Sequence, residues 1–390
     1  MPPRVATDQA SLTLRVKALA REAGFQLVGI TSADAFDEAE RVAVDRLRLG
    51  LMDGLPWYHE ARVRRGCHPT ELLPEARSII ALGLSYHTAT PPEPADAIPR
   101  GRVSRYAWGQ DYHRVFEQRV NGLVQRLQDM GGVSAKFYVD YGPMPDRAVA
   151  HRAGLGWFGK NTNILAPGLG SWIFLAEVLT DLDLQPDEPL KKSCGRCIAC
   201  IPACPTNAIP APYVIDNTRC ISYHTIENRG PIPRELRPLI GDWVFGCDIC
   251  QDVCPVNDVA ALSGDPAFAP ASVDDARPDL AQVLELTEEA FQARYRHSPV
   301  RRAKRVGLQR NACVALGNLG DRTAVPTLTR ALDTGEPLVR GHAAWALGRL
   351  GGDAARRALL AASRTEADPW VREEITLALR EAPVEGPAGR

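Results

Sequence analysis

CGRCIACIPACP, residues 194–205, and CDICQDVCP, residues 247–255, hold seven of the ten cysteines, and Cys220 lies between them. Each run ends in a cysteine followed by proline, Cys204–Pro205 and Cys254–Pro255. A [4Fe-4S] cube takes four thiolates, and in two-cluster modules the cysteine before the proline crosses over to the other cube. The spacing therefore predicts one cluster on Cys194, Cys197, Cys200 and Cys254, and a second on Cys247, Cys250, Cys204 and Cys220. Two-residue gaps let neighbouring thiolates of one tight turn reach separate irons, and the proline turns the chain away. Structural zinc shares the C-x-x-C element, and disulfides are disfavoured in a reducing compartment. Neither accounts for a triple run with both proline-terminated crossovers, so the chain is expected to move electrons. Cys67 and Cys313 are left over and read as small buried hydrophobes.

At 390 residues, 45% of them hydrophobic, the chain is long enough for two or three domains. Its 46 Lys and Arg nearly cancel 47 Asp and Glu. An anionic partner must then be held by a local patch and not by the overall field. The N-terminal stretch MPPRVATDQASLTLRVKALAREAG has mixed charge, no apolar h-region and no twin-arginine signal. No run approaches the ~20 apolar residues that cross a bilayer. The expectation is a soluble cytoplasmic protein with no membrane partner, read as a monomer.

Three blocks differ in texture. Residues 1–187 alternate helical patterns with the apolar stretches FQLVGI, RSIIALGLSY, SAKFYVD and SWIFLAEVLT, which predicts an α/β or α+β domain with PPEPADAIP as an exposed loop. Residues 188–262 are too poor in long periodic segments to fold without metal, so their folding free energy is expected to come largely from the clusters. Residues 278–384 hold a repeat: RNACVALGNLGD (310–321) recurs as GHAAWALGRLGGD (341–353), and VREEITLAL begins a weaker third copy. That period predicts stacked helix pairs of the HEAT type.

Between Gln292 and Asn311 the chain has Arg294, Arg296, His297, Arg301, Arg302, Lys304, Arg305 and Arg310, and no Asp or Glu. A helix after Pro299 would put Arg301, Lys304 and Arg305 on one face with Arg302 at its edge, until Leu308 interrupts it. Such a face suits a phosphate backbone; a solvated helix surface is the plain alternative. In the front block, GRVSRYAWGQDYH crowds Arg105, Tyr106, Trp108, Asp111, Tyr112 and His113 together. YVDYGPMPDRAVA ends a predicted strand at Asp140, and HRAGLGWFGKN carries Lys160 and Asn161 on a glycine-rich turn. Loops at strand ends collect ligand groups, although aromatic packing and turn-forming glycine explain any one of the three as well. The glycines of that turn follow a helix-like segment, so they are not read as a dinucleotide fingerprint. An acid such as Asp140 beside a bound cofactor could keep a proton and deliver it to a leaving oxygen, or simply cap the next turn.

Taken together, PEARSIIALGLSY, SRYAWGQDYH, VDYGPMPDRAVAHRAGLGWFGKN, the double cysteine run and RRAKRVGLQRNACVALGNLGD resemble the epoxyqueuosine reductases over nearly the whole length. The resemblance implies a cobalamin-binding front domain, a ferredoxin-like two-cluster module and a helical-repeat tail. It also implies that the epoxide oxygen of epoxyqueuosine in tRNA leaves as water, the electrons coming from an external low-potential donor through two [4Fe-4S] clusters to cobalamin. Asp140 matches the family's proposed proton donor. Arg105, Tyr106, Trp108, Lys160 and Asn161 lie in motifs that line its cofactor and substrate cavity, and Arg301, Arg302, Lys304 and Arg305 become the expected tRNA face. Asp111 and His113 begin the D-x-H-x-x-G pattern of histidine-ligated cobalamins, but Phe116 stands at its glycine. A base-off cofactor with no histidine on cobalt is therefore expected. Reductive dehalogenases share the cofactors but carry an export signal and lack the repeat tail. A plain iron-sulfur electron carrier would leave the first 187 residues idle.

Overall fold

The structure, a computed structural model, describes residues 9–92 and 96–381. The first eight residues, three residues of the proline-rich loop and the last residues of the tail lie outside them. The four apolar stretches form one antiparallel sheet of β1 (Leu27–Ser32), β2 (Ser78–Ser85), β3 (Ala135–Tyr138) and β4 (Ile173–Thr180), in the order β1-β2-β4-β3. Alternating side chains of β2 serve two cores, as the pleat requires. Ile80, Leu82 and Leu84 pack with Val16 and Ala20 of α1 (Gln9–Glu22), while Ile79 and Ala81 face the opposite side. On that side lie α2 (Asp37–Arg48) and α3 (Glu60–Cys67). Phe116, Val120, Leu123 and Leu127 of α4 (Tyr112–Gln128) complete the first core, and Val149 and Ala150 of α5 (Asp146–Arg152) the second. β2 is buried along its whole length, which is why its sequence is a continuous apolar run and not an alternating one. The front block is thus α+β with helices on both faces of the sheet.

The tail contains α6 (Lys304–Leu319), α7 (Val325–Thr334), α8 (Pro337–Leu350), α9 (Gly352–Thr365) and α10 (Pro369–Glu381). The repeated A-L-G-x-L-G is a packing device. A Cβ on Gly317 of α6 would lie 3.0 Å from the Ala346 Cα in α8, and one on Gly348 of α8 would lie 2.9 Å from the Ala378 Cα in α10. Only glycine lets successive copies approach this closely. One hydrophobic core runs from Ile226 and Trp243–Phe245 of the cysteine block through these helices. Polar links reinforce it. Asn311 donates to the carbonyls of Thr225 and Val244, each at 2.8 Å, and Arg237 pairs with Glu374 at 2.7 Å with both side chains almost fully buried. The front block meets the cysteine block through a short parallel pairing of Arg102–Val103 with Trp243–Phe245. Cys67 and Cys313 are both buried, at 2% and 0% exposure.

Candidate functional site

The seven cysteines of the two runs and Cys220 are free thiols, set on loops and single helical turns such as Cys200–Ala203 and Ile249–Asp252. Their mutual neighbours fall into two groups. Burial pushes the Cys200 thiol up, and Cys194, Cys254 and Cys197 add to it; Cys254 is likewise raised by burial and by Cys194 and Cys197. In the other group burial raises Cys247, with Cys250 and Cys220 as neighbours, and Cys250, whose neighbours are Cys220 and Cys204 of this group and Cys200 of the first, so the two groups adjoin there. Cys220 is raised by burial and by Cys204. Crowded, desolvated thiols resist ionisation unless a cation compensates the charge, and the irons of a cube supply that. A donor set of eight sulfurs in two such groups fits two clusters. Among the described residues no three His, Cys, Asp or Glu close around a single ion; thiolates that each take one iron of a cube stand further apart than that.

Asp140 lies two residues past the end of β3 and has a left-handed backbone, φ 59°. Asp tolerates this region better than most residues, but it still costs free energy, and such residues collect where geometry serves function. Its side chain is 56% exposed, accepts a hydrogen bond from the Tyr112 hydroxyl at the start of α4, and lies 3.9 Å from His113 Nε2. The His113 ring stacks on Tyr112, and its Nδ1 bonds Asp111 at 2.7 Å. Two more charges reach this place from other blocks. Arg302, from the 3-10 turn Pro299–Ala303, pairs with Glu227 of the cysteine block, and Asp140 also lies within its electrostatic reach. The Arg302 guanidinium stands 5.6 Å above the Trp57 ring. Tyr106 adjoins this group. Burial holds its phenol far above the usual range, and Arg302, Asp140, Glu227 and Asp248 all act on it. Asp248 follows Cys247, and burial raises its carboxyl to about 6.

The other expected cofactor residues are engaged within the protein. Trp108 is buried and donates its indole N–H to the Val103 carbonyl at 2.7 Å. Arg105 stacks against Trp108 and Trp172 and donates to the Thr88 carbonyl at 2.6 Å. Lys160 reaches the Gly195 carbonyl at 2.8 Å and Asn161 the Cys250 carbonyl at 3.2 Å, so both fasten the glycine-rich turn to the cysteine runs. Thr88 Oγ1, Arg105 Nε and Trp172 Nε1 are buried in one neighbourhood without hydrogen-bond partners. A corrin, rimmed with amides, suits such orphaned groups.

The basic run is divided by the fold. Arg310 is 1% exposed and binds the carbonyls of Asn228, Gly230 and His224, so it belongs to the interior. Arg305 is half-buried between Glu288 and Glu336, at 3.2 and 3.4 Å. Arg301, Arg302 and Lys304 are exposed, and Arg302 also pairs with Glu227. The expected single helical face is broken because a 3-10 turn precedes α6, with Lys304 at φ 62° at the junction.

Several groups escaped the sequence reading. Arg62 of α3 donates to the carbonyls of Tyr141 and Gly142 at 2.8 and 2.6 Å, fastening the loop after Asp140. Glu177 lies in the middle of β4, only 1% exposed, beside half-buried Asp146 at the start of α5. A lone acid within the apolar run SWIFLAEVLT was the available signal.

Three family models match this chain: "Epoxyqueuosine reductase QueG, DUF1730" over residues 66–141, "4Fe-4S double cluster binding domain" over 193–257, and "HEAT repeats" over 301–380. An epoxyqueuosine reductase of Synechocystis sp. is 42% identical over 278 residues, which cover 71% of this chain and 94% of the relative. A crystal structure of epoxyqueuosine reductase with an epoxyqueuosine-modified tRNA-Tyr stem loop superposes with a TM-score of 0.91 at 33% identity, covering 96% of this chain and all of the other. The Bacillus subtilis reductase, solved with its catalytic loop swung out of the active site, gives the same TM-score, identity and coverage.

Proposed function

The chain belongs to the epoxyqueuosine reductase family, and on that premise we propose that it reduces epoxyqueuosine to queuosine in tRNA, with Asp140 as proton donor. The reaction consumes two electrons and two protons. The epoxide oxygen leaves as water, and a carbon–carbon double bond remains. The quartets Cys194/Cys197/Cys200/Cys254 and Cys247/Cys250/Cys204/Cys220 would hold two [4Fe-4S] clusters, which would supply one-electron chemistry between an external low-potential donor and the site. A cobalamin would be held in part by Arg105 and Tyr106 and bordered by Lys160 and Asn161, and would supply a reducible metal centre at the site. Trp108 supports this wall from behind.

The observation that carries the reading is the convergence at Asp140. An exposed, strained acid held by Tyr112 stands where Glu227 of the cysteine block and Arg302 of the tail both arrive. Asp140 gives its proton to the departing oxygen, while Tyr112 and His113 fix its orientation. Arg301 and Lys304 offer phosphate contacts on the same approach, with Arg302 and Arg305 behind them. The division 1–187, 188–262 and 278–384 is functional, since the last two share one core, to which Val103, Ala107 and Trp108 of the first also belong. A cytoplasmic location suits a tRNA substrate. The test is Asp140→Asn in cluster-loaded, cobalamin-loaded enzyme, with the nucleoside read by mass spectrometry. Turnover should fall by about 10²- to 10⁴-fold with iron and corrin content unchanged; undiminished turnover overturns the assignment.

A further inference from the structure

The two sets of cysteines differ in what surrounds them. Cys247 lies between buried Gly246 and Asp248, Cys220 precedes buried Ile221, and Cys250 precedes buried Gln251 and accepts the Asn161 amide on its carbonyl. That set backs onto the core shared with the tail. The first set lies at the surface. Cys197 is the one exposed thiol of the eight, and Lys191, Lys192, Arg196 and Ile198 around it are exposed too. The sets meet where the turn Cys200–Ala203 packs on Ile249–Asp252. An electron entering from outside therefore reaches the first set before the second.

The surface around Cys197 is apolar at its centre and cationic at its rim. Ile198 is 53% exposed, and Val253, next to Cys254, is 40% exposed. Exposed Tyr213 is fixed at the same edge by Lys160, whose carbonyl accepts the Tyr213 N–H and whose amine reaches the Gly195 carbonyl. Large apolar groups gathered on an exposed surface with a polar rim mark a contact site. Residues 189–215 contain Lys191, Lys192 and Arg196 and no Asp or Glu. Among the described residues no carboxylate pairs with these three, and Lys192 stands 5.4 Å from the centre of the Trp157 ring. Glu188 precedes the run, and Asp252 and Asp258 lie in and after the second cysteine run; Asp252 is within electrostatic reach of Arg105 and Arg102. We propose that Lys191, Lys192 and Arg196, set around Ile198 and Val253, form the docking surface for a small acidic one-electron carrier protein, and that electrons enter the chain beside Cys197. The inference rests on the two-cluster reading and adds to it the partner and its place. The exposed thiol fixes where the carrier sits, and the unpaired cations fix the charge it brings. Such encounters are small and transient, and rim charges act on the rate of meeting more than on affinity. Each encounter moves one electron from the reduced carrier to the first set, with no bond formed and no proton moved, and two encounters supply one turnover.

The test uses full-length, cluster-loaded protein, with a reduced plant-type [2Fe-2S] ferredoxin, an acidic carrier, as the probe. Stopped-flow absorbance gives the second-order rate of electron transfer from about 20 to about 300 mM salt. Carbodiimide cross-linking, read by peptide mass spectrometry, gives the contact. The parent's rate should fall about 10- to 100-fold over that range, with cross-links at Lys191 and Lys192. Lys191→Glu/Lys192→Glu and Arg196→Glu should each lower the low-salt rate about 10-fold and flatten its salt dependence. Iron content should stay unchanged, and reduction by methyl viologen radical, a small cation, should stay within about threefold of the parent. Ile198→Ser should slow transfer alike at every salt concentration. Lys191→Glu/Lys192→Glu lies outside the cysteine run, so it decides the matter even if Arg196→Glu loses iron. The parent's rate and salt slope in that variant overturn the proposal, as does a parent rate indifferent to salt or cross-links at Lys304 in place of Lys191 and Lys192. If ferredoxin docks as described yet epoxyqueuosine in tRNA is left unreduced, the proposed reaction falls and the docking surface stands. If the reaction proceeds while ferredoxin ignores the rim, the docking surface falls alone.

Discussion

Glu374→Gln should cost more stability than its place near the C-terminus suggests. Glu374 in α10 receives two hydrogen bonds from Arg237, at 2.9 and 2.7 Å, and another from Arg234; the Arg237 and Glu374 side chains are 1% and 4% exposed. Removing one partner of a buried ion pair leaves the other charge uncompensated, at a cost of about 3–5 kcal/mol. Gln keeps the volume and one acceptor, and Arg234 retains Glu381 at 2.6 Å, so the expected loss lies at the lower end, about 3 kcal/mol. Urea unfolding of cluster-loaded protein, followed by far-ultraviolet dichroism and by cluster absorbance, reads the shift of the first transition. Because the pair joins the tail to the cysteine block, both signals should move together. An Arg237→Met/Glu374→Leu double variant should return to within about 1 kcal/mol of the parent, since apolar replacement of a buried pair is often neutral. A loss below about 1 kcal/mol in Glu374→Gln, or a double variant worse than the single, refutes the reasoning.

Cys254→Ser and Cys200→Ser should abolish the same cluster signal in the electron paramagnetic spectrum, although the residues sit in different runs; loss of different signals would break the proposed crossover. Arg301→Gln/Lys304→Gln should weaken tRNA binding and lower its salt slope by about 2, while reduction of the free nucleoside is spared. Equal loss on both substrates would make those residues structural. Glu177→Gln should also flatten the dependence of stability on pH. A carboxyl raised in the folded state stabilises fully below its unfolded pKa, and that contribution is lost as pH rises through the folded value. The wild-type melting temperature should therefore fall on the alkaline side more than that of Glu177→Gln; parallel curves would mean Glu177 carries no proton.

The sheet was legible because its four strands are short apolar runs bounded by turns, and each became a strand. Their antiparallel order was not, since strand direction depends on how α1 to α5 pack and not on any local pattern. The cysteine runs could be read because spacing fixes which thiols share a turn. Burial separated like from like elsewhere. Arg310 looked like its basic neighbours but anchors three carbonyls in the interior, and the Trp108 indole N–H is spent on the Val103 carbonyl. The repeat glycines were visible as a motif, while their reason, the contact of α6 with α8 and of α8 with α10, needed the packed helices.

The neighbourhood of Cys254 with Cys194, Cys197 and Cys200 also sets a clock. About sixty residues separate the first of these from the last, and a ribosome adding roughly 5–20 residues per second needs some 3–12 s to cross that distance. On the proposed wiring neither cube can be closed until the second run has emerged. A nascent chain must therefore keep the four thiols of the first run reduced and unclaimed in the meantime, and products truncated before the second run should carry no complete cluster at all.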